Sequence, residues 1–272
     1  MSRYTEQELR EIFFEALDLF NERLGSDITR ENTVLVFFTP DNGLTVYEQF
    51  CGRYFPKNLR EDYKAEGYFE SFAAQAFVGG DCYGVMIRSD IDFPLSELQF
   101  TFLHEISHLF CTKNEVESGN FYDRYCMGSG VEDGMMNAGY AVWREAVADI
   151  MADAVVSDYT SMTLDSVKLE VSQLYEQLSP ANPDSKKCMS LMIVYVMLTR
   201  EAGGAEDWSD VEPVLTKRLG LADQTLLLIF RMAFENMHQS PFWTVTPEFI
   251  MVLGEAYLSL LTAKFFRENI QQ

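Results

Sequence analysis

The sequence predicts an α+β fold, predominantly helical, with a small N-terminal sheet and a C-terminal helical subdomain. Three observations predict it. Strand-like runs of β-branched and aromatic residues, Thr33 to Thr39 and Tyr83 to Ser89, fall in the first ninety residues. After Val156 the apolar residues recur at helical spacing to the end of the chain. Joining the two regions is a helix-period stretch, Leu103 to Thr112, that reads LHEISHLFCT. The expected organisation is residues 1–160 as an α+β subdomain carrying that stretch, and 161–272 as helices forming the second wall of a cleft, within one compact unit.

Taken in order, Thr5 and Glu8 make a capping box before Leu9, Ile12, Phe13, Ala16, Leu17 and Phe20, and Gly25 ends that first helix. Thr33 to Thr39 is a buried strand, stopped by Pro40 and Asp41-Asn42-Gly43. Leu44 to Tyr54 reads as strand and Tyr68 to Phe77 as helix. Tyr83 to Ser89 is a strand leading into a helix that opens at a Ser96/Gln99 capping box after Pro94. Lys113 to Asn137, rich in Gly, Asp, Asn and Glu, reads as a long loop, and its aromatics either wall a pocket or pack as a satellite core. Helices follow over 164–178, 185–202, 205–219 and 222–238, and a last one opens at Thr246-Pro247.

The chemistry concentrates in His104, Glu105 and His108. Residues i and i+4 share a helix face, so the two imidazoles point the same way. With His104 at 0° and about 100° per residue, Leu98, Phe102, Leu103, Ile106, Leu109 and Phe110 fall opposite, between roughly 120° and 260°. Two neutral imidazoles make half of a tetrahedral zinc shell, and the intervening glutamate stands beside the metal as a general base.

A catalytic zinc needs a third protein ligand. The best candidate is Glu145, in AVWREAVADIMADAVV, 37 residues after His108. On its wheel Ala141, Ala148 and Ala152 flank it within about 60°, a small-residue stripe that permits close helix approach. Asp149, one turn on, can accept the second ring N–H of a ligating histidine. Glu115, Glu117, Asp123, Glu132 and Asp133 are rivals from the intervening segment; none has a supporting acid one turn later and an alanine stripe.

HEISH followed by Glu145-Ala-Val-Ala-Asp149 resembles the gluzincin zinc metallopeptidases, and the E-x-x-A-D form is similar to ImmA/IrrE-type intracellular metallopeptidases. The resemblance covers about residues 80 to 156. It implies a zincin-like core in which His104, His108 and Glu145 bind Zn2+, Glu105 activates water and Asp149 supports a histidine. In such proteases an edge strand beside the metal pairs with extended substrate, and Tyr83–Ser89, the strand nearest the motif in sequence, reads either as that strand or as an ordinary member of the sheet. The transition-state donor of the family has no plain match here. His238 and Tyr140 are the two candidates for a donor to an oxyanion; His238 at a helix end can equally cap carbonyls.

Composition agrees with a globular, non-membrane chain. Of its 272 residues 47% are apolar and 14% aromatic. A net charge of −21 argues against nucleic acid and anionic membrane as partners. The amphipathic opening MSRYTEQELREIFF lacks the pattern of a secretory signal, and five cysteines without a CxxC pair read as reduced thiols, so a cytoplasmic protein is expected. The function expected is Glu-assisted hydrolysis of a peptide or protein substrate. The alternatives are a non-catalytic zinc-stabilised regulatory or binding protein, or hydrolysis of another bond. Substrate identity and oligomeric state stay open.

Overall fold

The structure, a computed structural model, describes residues 3–60, 62–117, 119–156, 163–201, 204–219, 224–236 and 245–270. It is α+β and predominantly helical, with one three-stranded sheet among the described residues. Contacts group the chain into two compact units, Met1–Glu117 with Met151–Val156, and Ser118–Ile150 with Ser157–Gln272.

The first unit is built on the sheet β1 (Thr33–Phe38), β2 (Ala74–Gly79) and β3 (Cys82–Arg88), in the order β1-β3-β2. β1 runs parallel to β3 and β2 antiparallel to it. Alternation sends Leu35, Val85 and Ile87 to one face, where they join Leu9, Phe13, Leu17 and Phe20 of α1 (Glu6–Leu24) and Leu98, Phe102, Ile106 and Leu109 of α3 (Leu95–Lys113). On the other face Phe38, Phe77 and Met86 meet the aromatic side of α2 (Gly43–Tyr54), with Tyr47 stacked on Tyr63 at 4.2 Å. Gly84 lets that layer lie on the strand backbone: a Cβ there would stand 2.5 Å from Phe50 and Phe55. The α1 capping box forms as expected, with Glu8 N donating to Thr5 Oγ1 and Thr5 N to Glu8 Oε2. Those bonds hold the Glu8 carboxyl below its ordinary range.

Three expectations need correction in this unit. Leu44–Tyr54 is not a strand but α2; its β-favouring residues yield to the i, i+3, i+4 burial of Tyr47, Phe50 and Cys51 against the sheet. Residues 68–77 are not a helix: a single 3₁₀ turn, Tyr68–Glu70, precedes β2, whose ladder to β3 decides its conformation. Of the two readings open for the strand next to the motif, ordinary sheet membership holds: β3 is central, and the edges are β1 and β2. The Ser96/Gln99 box does not cap α3, which starts two residues earlier, at Leu95, with Pro94 at the N-cap and no side-chain cap bond.

In the second unit the stretch expected as a long loop is largely helical: α4 (Gly119–Tyr125) and the start of α5 (Val131–Val156) occupy it. Asp133 Oδ2 accepts from Gly130 N at 2.8 Å, a local cap that starts α5 where the Gly-rich composition suggested coil. Phe121 stacks on Tyr140 at 5.5 Å, so the aromatics of this stretch pack as a satellite core. Later come α6 (Leu164–Gln177), α7 (Ser185–Glu201), α8 (Trp208–Leu219), α9 (Gln224–Asn236) and α10 (Pro247–Ile270). Buried Lys264 of α10 donates to the terminal carbonyls of α6, Tyr175 O at 2.6 Å and Glu176 O at 2.8 Å, which caps that helix and complements its dipole. Among the described residues no helix is long and apolar enough to cross a membrane.

Within this unit α5 and α10 cross backbone to backbone. A Cβ on Gly139 would lie 2.0 Å from Ile250 O, and one on Gly254 2.0 Å from Met135 O. Gly139→Ala is therefore expected to destabilise by at least the ~1–3 kcal/mol typical of overpacking. Chemical denaturation checks it, and an unchanged midpoint would refute the crossing.

Of the five free cysteines, Cys51, Cys111, Cys126 and Cys188 are buried and Cys82 half-buried. Burial pushes the Cys51 thiol up to about 12 and the Cys126 thiol up to about 11. Both are neutral thiols at pH 8, and the thiolate is the nucleophile. Iodoacetamide on the native protein at that pH should leave Cys51 and Cys126 unmodified by mass spectrometry; rapid full alkylation of either would contradict their placement.

Candidate metal centre

The middle of α3, residues 102–109, is buried all round. Its apolar arc enters the first unit's core, and His104, Glu105, Ser107 and His108 are buried as well. The i, i+4 spacing brings the rings edge to face, centroids 4.7 Å apart, with the two Nε2 atoms 3.1 Å apart. Both Nε2 atoms are thereby turned toward one point.

The end of α3 determines what sits behind His108. Glu115 adopts φ 58, the left-handed region, immediately past the C-cap Asn114. Glu115 N donates to Thr112 O at 3.2 Å, and Val116 N to Cys111 O at 2.8 Å. This is a Schellman turn, which usually takes glycine; a glutamate there costs about 1–2 kcal/mol of backbone strain. The turn reverses the chain and folds Glu117 back onto the helix. Glu117 is buried, and its Oε1 lies 2.6 Å from His108 Nδ1. With the carboxylate oxygen as acceptor, the contact favours the His108 tautomer that has its N–H at Nδ1 and keeps the lone pair on Nε2.

Glu145 stands on α5. The last turns of that helix, with Met151, Ala152 and Val155, pack into the same core as α3, and Cys111 Sγ touches Met151 Sδ at 3.3 Å. Glu145 lies six residues upstream on the same helix, about 9 Å along its axis. One ligand atom from each of His104, His108 and Glu145 can be chosen so that all lie within 4.8 Å of one another, and among the described residues this is the one group of three or more potential ligands so arranged. Arg144 Nη2 is 3.6 Å from Glu145 Oε1, an ion pair beyond hydrogen-bond range.

The remaining expected residues are placed as follows. Glu105 is 9% exposed on α3 between the histidines. Asp149 is fully buried one turn beyond Glu145, about 40° round the wheel from it. Tyr140, on α5 about 140° from Glu145, is buried in the stack with Phe121 and Trp143. His238 lies outside the described residues. Glu117, one of the rivals for third ligand, bonds Nδ1, on the far side of the His108 ring from Nε2, and so cannot share an ion held there. Asp133 is engaged at the start of α5.

The donor set fits a divalent cation. The three buried carboxylates among the described residues are Glu105, Glu117 and Asp149, each on or directly beside the segments that bear the ligands. Buried carboxylates are costly unless paired or close to a cation. Two imidazoles and one carboxylate converge with no lysine or arginine among the buried residues of α3. His₂Glu is a donor set borderline-soft zinc accepts, with a position left over. The chain matches no protein-family model, no curated protein and no solved structure.

Proposed function

We propose that this chain is a zinc-dependent metallopeptidase of the gluzincin kind, holding Zn2+ with His104, His108 and Glu145. The observation that carries the proposal is the convergence of those three donors with Glu105 buried beside them. A purely structural zinc site has no need of that fourth group. When bound, zinc supplies Lewis acidity, lowering the pKa of a water towards ~7 and polarising a carbonyl. Glu105 takes the proton of the attacking water and delivers it to the departing amine. Burial of the α3 face excludes bulk water, which strengthens each of these electrostatic interactions. In this reading Glu117 serves His108 by accepting its Nδ1–H.

The substrate in this reading is an extended peptide or protein segment. α3 packs on β2, an edge strand that among the described residues pairs only with β3. An added peptide strand would complete its ladder, main chain to main chain.

The test is a proteome-derived peptide library incubated with the zinc-loaded full chain. New amino termini that vanish with 1,10-phenanthroline and return with added zinc are expected. A zinc-loaded protein that generates none would leave metal binding without peptidase activity and overturn the proposal.

A further inference from the structure

We infer that Glu117 is the positioning residue for His108, locking the tautomer and ring orientation in which Nε2 can ligate. This rests on the reading of His104, His108 and Glu145 as a metal centre.

Both side chains are more than nine-tenths buried, and their 2.6 Å contact is the short distance of a charge-assisted bond. Without an acceptor at Nδ1, a neutral imidazole is free to carry its proton on Nε2, which then cannot bind a cation. Glu117 removes that alternative before any metal arrives. It also raises the basicity of the ring and fixes its χ angles. The placement is built into the backbone. The Schellman turn at Glu115 directs both Val116 N and Glu117 N to Cys111 O, at 2.8 and 3.1 Å, and so anchors the reversal to the last turn of α3. Glu117 therefore follows the ligand-bearing helix itself.

The assignment separates the two acids that follow the motif. Glu115 shapes the turn through its left-handed backbone, whereas Glu117 acts through its side chain. Glu115→Gly keeps the turn and suits its φ, so it should raise the thermal midpoint of the metal-free protein and leave zinc affinity as it was. Glu117→Ala should weaken zinc binding about 10–100-fold. Glu117→Gln, which retains an acceptor oxygen but not the charge, should fall between wild type and Glu117→Ala.

The experiment is competition of the full-length protein against a chromophoric chelator for zinc, with the visible spectrum of the cobalt(II)-loaded protein as a second readout. Folding of each metal-free variant is followed by circular dichroism. The expected result is the order wild type, Glu117→Gln, Glu117→Ala in affinity, with changed cobalt bands in both variants. A folded Glu117→Ala protein binding zinc within threefold of wild type, with the same cobalt bands, overturns the inference. Should Glu117→Ala not fold, Glu117→Gln decides alone, and wild-type affinity and spectrum in it overturn the inference. Wild type binding neither metal would instead sink the metal centre itself, which keeps the two failures distinct.

Discussion

Glu105→Gln should bind zinc as tightly as the wild-type chain and lose cleavage by about two to four orders of magnitude, the usual contribution of a positioned general base. The substitution is nearly isosteric, so the buried surface of α3 is unchanged. The amide has no basic oxygen to take up the water proton, and none to return to the amine. Glu105 is not among the three converging donors, so metal content is the internal control. Zinc content and turnover measured on one preparation check it. Retained turnover at equal zinc would remove Glu105 from the mechanism, whereas loss of zinc would make it a ligand.

Glu145→Ala should lose the metal. Structural zinc sites with four ligands bind with roughly 10–16 kcal/mol, so one ligand accounts for about 2.5–4 kcal/mol, or roughly two to three orders of magnitude in Kd. Glu145 is less buried than the histidines, with 24% of its side chain exposed, so truncation should leave the packing of α5 intact. Ala is also the best helix former, which favours the fold of the variant. Zinc titration against a competing chelator, with circular dichroism as the fold control, gives the value. A folded variant with wild-type affinity would disqualify Glu145 as a ligand.

Part of this site was legible in the sequence because it rests on local periodicity. The HExxH residues lie in a helix whose apolar arc and polar face separate cleanly at 3.6 residues per turn. Glu145 was legible for the same reason, through the Ala148 and Ala152 flank, both now found buried. Glu117 was not, since its role depends on a left-handed Glu115, and the usual sequence signal for that turn is glycine. It was visible only as one acid among several after α3.

The misread elements share a cause. Leu44–Tyr54 carries strand-favouring Thr45, Val46, Tyr47 and Phe50, and β2 opens on Ala-Gln-Ala, a weak strand former. In both, packing against β3 and its aromatic face outweighs propensity. Similarly, Gly139 and Gly254 gave no sign in sequence that they permit one helix to touch another, because the close approach belongs to the pair.

The most direct test is the zinc content of the full-length chain after loading with excess zinc and exhaustive gel filtration, measured by elemental mass spectrometry beside a His104→Ala/His108→Ala variant. The prediction is one zinc per wild-type chain and none in a folded double variant. A wild-type chain without zinc, or a double variant that still carries one, would contradict the assignment of these side chains to a metal.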